Sequence, residues 1–295
     1  MNDSHAHLTL SPIDRNCESI VRQFVSQGGK HILNVAHDPE SLNKVVEQHR
    51  ELEAAFPNVV LCGLGVHPEC FSDLLKNEGF DIYERSKRIV DMAKQSLTEN
   101  LKIASAVGET GLDYFHIFND SSLEKSQREG IMEAQKNSFK EHAQWALEYD
   151  LPLSIHTRDL EGEDAAVVDA MQIITDVGRG KLRGSFHSYT ARREHVSEII
   201  KLGFYIGFNG IITYPSAQNV GELVELTPTE RILVETDCPL LPPQSIRRDK
   251  KREVRYGTPS DIKEILEHVA EIKGIDYEQA QEITDRNFSE LFLRD

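Results

Sequence analysis

Ile103-Ala104-Ser105-Ala106-Val107-Gly108-Glu109 is a short apolar run that ends on an acid. Its length suits a strand buried on both faces, the kind that parallel sheets use. Similar β-rich runs recur along the chain, at Met1 to His5, His31 to Ala36, Val59 to Val66, Leu153 to Ile155, Leu182 to Phe186, Phe204 to Phe208 and Arg231 to Glu235. Between them lie segments with helical spacing, such as Ile82, Ile89, Met92, Ala93 and Leu97, or Met132, Phe139, Ala143, Ala146 and Leu147. Eight strands alternating with helices predict an α/β fold: a single (β/α)₈ TIM-type barrel, one domain over residues 1–295. After the eighth strand, Thr258-Pro259-Ser260-Asp261 combines a capping residue, a proline suited to a first helical position and an acid for the dipole. A helix with the stripe Ile262, Ile265, Leu266, Val269 and Ile272 is expected from there, and a second from Tyr277 to Leu293 after Gly274.

Hydrophobic residues at 39% and charged residues at 28% fit a globular chain long enough to bury its own core without disulfides. The four cysteines, Cys17, Cys62, Cys70 and Cys238, show no CxxC spacing, and the opening MNDSHAHLTL has no basic region followed by an apolar one. A reduced, cytoplasmic protein is expected. No apolar run approaches the roughly 20 residues of a membrane span. Nothing points to an obligate protein partner, so a monomer is expected. The net charge of −16 opposes nonspecific attraction to polyphosphate. Chemistry on nucleic acid would then depend on a local reversal of that field, which bound divalent cations can provide.

The position of the polar residues is the informative feature. His5 and His7 close the first strand, His67 the third, Glu109 the fourth, His156 the fifth, His187 the sixth and Asp237 the eighth. In a barrel of parallel strands those ends meet at the C-terminal mouth, where barrel enzymes place their catalytic groups. A single histidine in this set is more often a hydrogen-bonded structural residue than a ligand, but the set together favours a metal. His5 and His7, two residues apart, face the same way on a strand and can grip one cation. Glu109, at the end of an apolar strand, is costly to bury unless it is paired, bound to a cation or hydrogen-bonded by amides near Thr110 and Gly111. Asp237 poses the same question. Its neighbour Glu235 either faces away or supports the mouth, and Asp3 supplies a further acid nearby.

The stretches Asp3-Ser4-His5-Ala6-His7, Gly65-Val66-His67-Pro68, Val107-Gly108-Glu109-Thr110-Gly111-Leu112-Asp113-Tyr114, Ile155-His156-Thr157-Arg158, Phe186-His187-Ser188 and Glu235-Thr236-Asp237-Cys238-Pro239 follow one another along the chain, which ends with Asn287 to Phe292. Taken in order, this series resembles the TatD-like metal-dependent deoxyribonucleases of the amidohydrolase superfamily. The resemblance implies two divalent metal ions, one surrounded by His5, His7, Glu109 and Asp237, the other by Glu109, His156 and His187, with Glu109 as the bridge. It also implies DNA as substrate, cleaved at phosphodiester bonds, from a strand end if the exonuclease pattern holds. Glu109 and Asp237 are the candidate catalytic residues, Asp237 orienting or deprotonating the attacking water. Arg158 and His67 are candidate substrate-binding residues, either of which could instead be structural. Four imidazoles with two carboxylates suit Zn²⁺ or Mn²⁺, whereas the family is described as magnesium-dependent, so Mg²⁺ stays open. Tyr114 and His116 are further candidates for the mouth. The stretch Ile246 to Pro259 departs from the family pattern in its six basic residues, which form either a phosphate-contacting rim or a solvated charge run. Two other readings stay open: an amidohydrolase acting on an ester, lactone or amide at the same bimetal mouth, and a binding protein that keeps a metal for stability.

Overall fold

The computed structural model describes residues 1–76, 82–251 and 255–293. Among these, eight strands form one parallel sheet in chain order: β1 (Asn2–Ala6), β2 (His31–Val35), β3 (Val60–Leu64), β4 (Ala104–Asp113), β5 (Leu153–Arg158), β6 (Gly184–Phe186), β7 (Tyr205–Phe208) and β8 (Ile232–Val234). Sequential order with parallel neighbours is what a crossover after each strand produces. The ring closes where the chain leaving β8 meets β1. His7 N–H donates to the Cys238 carbonyl at 2.8 Å and Asp237 N–H to the His5 carbonyl at 2.9 Å. The buried Asp3 carboxylate accepts from the Thr236 amide at 2.9 Å and from its hydroxyl at 2.6 Å. This is the (β/α)₈ barrel that the alternating strands and helices predict.

The outer layer contains α1 (Cys17–Ser26), α2 (Pro39–Glu53), α3 (Ile82–Glu99), α4 (Tyr114–Asn119), α5 (Lys125–Glu148), α6 (Ala165–Gly178), α7 (Val196–Lys201), α8 (Gln218–Leu226), α9 (Gln244–Arg248), α10 (Ile262–Lys273) and α11 (Tyr277–Phe292). Thr258 and Asp261 form a reciprocal capping box, with Pro259 inside it, and a single 3₁₀ turn leads into α10. Met92 and Leu147, placed on buried stripes by their spacing, are exposed instead. No described helix is long and apolar enough to cross a membrane.

The inside of the barrel is divided along its axis. Leu33 and Val35 face inwards, because Asn34 between them reaches Gln48 of α2 at 3.0 Å on the outside. They join Leu61, Ala106, Tyr205 and Leu233 in an apolar cluster that Phe288, Leu291 and Phe292 of α11 complete. The strands therefore carry their polar residues at the other end, and the apolar cluster makes a rigid base for them.

The α2 cap yields a prediction. Asp38 accepts from the Ser41 amide at 2.7 Å, while the Ser41 hydroxyl accepts from the Asp38 amide at 2.9 Å. Asp38→Ala is expected to cost about 1 kcal/mol, at the lower end of the cap range because the carboxylate is partly exposed. The His37 side chain, and then the Ser41 hydrogen bonds, hold the Asp38 carboxyl at about 2, below the ~3.9 of an unfolded chain. Its contribution is therefore full above about pH 4 and is lost as pH falls towards 2. The Tm gap between wild type and variant should narrow when measured at pH 3 rather than pH 6.

Candidate metal centre

His5, in β1, and His7, just after it, bring their Nε2 atoms to 3.3 Å of one another. Each ring is held from behind through Nδ1: His5 by the Ser154 hydroxyl at 3.0 Å, His7 by the Val35 carbonyl at 3.2 Å. A carbonyl only accepts, so His7 carries its proton on Nδ1 and turns the bare Nε2 into the barrel. His156 is arranged the other way round. Its Nε2 meets the Asp113 carboxylate at 3.1 Å, which leaves Nδ1 pointing 3.2 Å from Glu109 Oε1 and 3.2 Å from His187 Nε2. His187 Nε2 lies 2.6 Å from the same Glu109 oxygen, with its Nδ1 3.6 Å from buried Glu235. The carbonyl behind His7 and the carboxylate behind His156 orient these rings in the manner of metal sites, whereas His187 Nδ1 is buried without a hydrogen-bond partner.

Glu109 stands at the centre. Oε1 faces His67, His156 and His187, and Oε2 lies 3.5 Å from His5 Nε2 and 3.4 Å from His7 Nε2. Asp237 Oδ1 lies 3.3 Å from His7 Nε2 and 3.9 Å from His5 Nε2. Glu109 Oε2 and Asp237 Oδ1 are both buried without a hydrogen-bond partner. Imidazole nitrogens this close together, His7 Nε2 bare among them, and carboxylate oxygens buried without a hydrogen-bond partner form a cluster that a cation would satisfy. The donor set thus fits divalent metal. His5, His7 and Glu109, and separately His67, Glu109 and His156, place their donor atoms within 4.8 Å of one another, as do His5, His187 and Asp237. Burial pushes the Glu109 carboxyl up, but the surrounding histidines outweigh it and hold it well below the usual range, so it is ionised.

Local backbone geometry makes this convergence possible. Glu109 is not beyond the fourth strand, as its place after the apolar run suggests, but inside it. β4 continues to Asp113, with a register shift against β5 between Val107 and Thr110 that re-aims the glutamate. Asp237 adopts φ +53°, the left-handed turn that returns the chain to the mouth. Gly111 has φ +140°, and a β-carbon there would overlap the His156 carbonyl oxygen. Gly111→Ala combines positive-φ strain with a backbone clash, so a loss of about 2–5 kcal/mol is expected. Urea unfolding would show this, and a variant as stable as wild type would contradict the packing of β4 on β5.

The mouth is a cavity of about 390 Å³ that His7, His67, Glu109, His156, His187 and Asp237 help to line. Arg158 and His116 also border it. The exposed Arg158 guanidinium lies over the Phe115 ring, 4.0 Å from its centroid. His67 is buried, and its Nδ1 accepts from the Glu69 amide at 3.1 Å. Tyr114 does not reach the mouth. It is buried, with its hydroxyl on Asp169 at 2.8 Å, because α4 starts there and turns it outward into the helical layer. Sequence reasoning left Asp113 without a role. It caps α4 and joins His156 to His116 at 3.1 and 2.9 Å. Burial raises its carboxyl, but the two imidazoles hold it far below the usual range. Its signal was alternation: residues 109, 111 and 113 share a strand face.

A (β/α)₈ barrel whose strand ends converge on this set of donors defines the class of metal-dependent hydrolases. The chain belongs to the TatD-related DNase family, whose profile matches residues 2–293. It is 29% identical to the uncharacterized metal-dependent hydrolase YabD of Bacillus subtilis over 98% of each chain. It is also 29% identical to the 3′-5′ ssDNA/RNA exonuclease TatD of Citrobacter rodentium, over 77% of this chain and 75% of that one. Among solved structures, YjjV, a TatD homolog from Escherichia coli K12, superposes with a TM-score of 0.78 at 20% identity, covering 100% of this chain and 98% of that one.

Proposed function

We propose that this chain hydrolyses phosphodiester bonds of nucleic acid, releasing nucleotides from a strand end. In this reading His5, His7, Glu109 and Asp237 hold one divalent cation and Glu109, His156 and His187 the other, from among Mg²⁺, Mn²⁺ and Zn²⁺. The observation that carries it is the convergence of four imidazoles around Glu109, beside carboxylate oxygens of Glu109 and Asp237 that are buried without a hydrogen-bond partner. Bound divalent cations would supply Lewis acidity, polarising a phosphate oxygen and lowering the pKa of a water.

The protein's own side chains do the rest. Asp237, unpartnered at Oδ1 and open to the cavity, orients the attacking water and accepts its proton. His67 accepts at Nδ1, so its proton sits on Nε2, from which it donates to a phosphate oxygen. Arg158, steadied on Phe115, presents its N–H fork to a second oxygen. The name of the Citrobacter rodentium relative supports a phosphodiester over a carboxylic ester.

The test is nucleotide release from end-labelled single- and double-stranded DNA by metal-stripped protein, titrated with each cation. Release that needs metal, and an Arg158→Ala variant whose KM rises about tenfold with kcat little changed, are the expected results. Protein that binds metal but leaves DNA intact would turn attention to ester and lactone substrates.

A further inference from the structure

The basic run after β8 has no part in the metal centre. Arg247-Arg248-Asp249-Lys250-Lys251-Arg252-Glu253-Val254-Arg255 carries six cations and two acids, in a chain of net charge −16. Residues 252–254 lie outside the described ones. Arg247, Arg248, Lys250, Lys251 and Arg255 are all exposed. Among the described residues, no carboxylate pairs with Arg248, Lys250, Lys251 or Arg255.

The run is tied to the mouth at both ends. Leu240 and Leu241 line the cavity just before it. The Tyr214 hydroxyl donates to the Pro242 carbonyl at 2.8 Å, and the Arg247 guanidinium lies 4.2 Å from the centroid of the Tyr214 ring. On the return, Gly257 N–H donates to the Pro239 carbonyl at 2.9 Å, two residues from Asp237. Three residues of chain from Leu241 to Gln244 and the short helix α9 place Arg248 within roughly 18 Å of the cavity wall. That is a few nucleotides along a strand. An acidic surface repels a polyanion, so a cationic rim beside the cavity decides from which side a strand approaches.

We propose that Arg248, Lys250, Lys251 and Arg255 bind the phosphate backbone of a nucleic-acid strand a few nucleotides from the phosphodiester in the cavity. This rests on the phosphodiesterase reading above. Backbone contacts of this kind add affinity, release counterions and ignore base identity.

The experiment compares the full chain with the variant R248Q/K250Q/K251Q/R255Q, Arg247 being kept for its stacking on Tyr214. Binding of a labelled ten-nucleotide phosphorothioate oligothymidine, which resists cleavage, is followed by anisotropy from about 50 to 300 mM salt. The variant should bind at least tenfold more weakly at the lowest salt. Its log Kd against log salt should be flatter by about 0.7 for each phosphate no longer neutralised, up to about 3 for four. Hydrolysis of bis(p-nitrophenyl) phosphate, too small to reach the rim, should be equal in both proteins. Equal slopes for the oligonucleotide overturn the proposal, as does a wild type that does not bind it. So does a variant that loses only binding to anionic vesicles. If the wild type leaves the small diester intact, the proposed function fails separately, and the slopes still decide the role of the rim.

Discussion

Glu109→Gln is expected to lower kcat/KM for phosphodiester hydrolysis by at least about 10³-fold, some 4 kcal/mol of transition-state stabilisation, while leaving the barrel folded. Glutamine keeps the shape of the side chain and removes its charge. The effect should be large because one carboxylate serves two groups of donors: Oε2 faces His5 and His7, and Oε1 faces His67, His156 and His187. An amide cannot give an anionic oxygen to each side, and its NH₂ would turn a donor towards nitrogens that are needed bare for the metal. Metal content and rate should fall together. A variant with unchanged metal content and a full rate would mean that Glu109 is a structural carboxylate.

Metal removal should produce the second large effect, on stability. Without a cation, buried His5 and His7 hold their Nε2 atoms 3.3 Å apart beside an ionised Glu109, and Asp237 Oδ1 is unpartnered. A cation that binds only the folded state adds about 2.7 kcal/mol at 100 times its Kd, which for a domain of this size is about 4–5 °C in Tm. Chelation should lower Tm by that much and readdition restore it. Protons compete for the same imidazoles, so the gain should shrink between pH 7.5 and pH 5.5. A Tm indifferent to chelator at both pH values would contradict the reading of the cluster as a cation site.

The barrel was legible because each strand announces itself by composition and each intervening segment by spacing, and parallel strands leave few ways to arrange them. The positions of His5, His7, His156, His187 and Asp237 at one mouth follow from that order alone. What was not legible depends on backbone detail. The register shift in β4 moves Glu109 from beyond the strand into it, and no residue type marks such a shift. Asp113 stands behind His156, a role that needs a contact across strands rather than a neighbour in sequence, whereas Glu235 takes one of the two places expected for it, beneath the mouth with its carboxylate on the Ser188 amide. Tyr114, next to Asp113, was expected at the mouth but turns away because α4 begins at that residue.

The proposed pair of divalent cations, which Glu109 would hold in common, is tested most directly by Mn²⁺ binding followed by electron paramagnetic resonance. Two Mn²⁺ per chain with a spin-coupled signal are expected, with loss of that coupling in Glu109→Gln. Uncoupled ions, or coupling that survives in the variant, would contradict that arrangement.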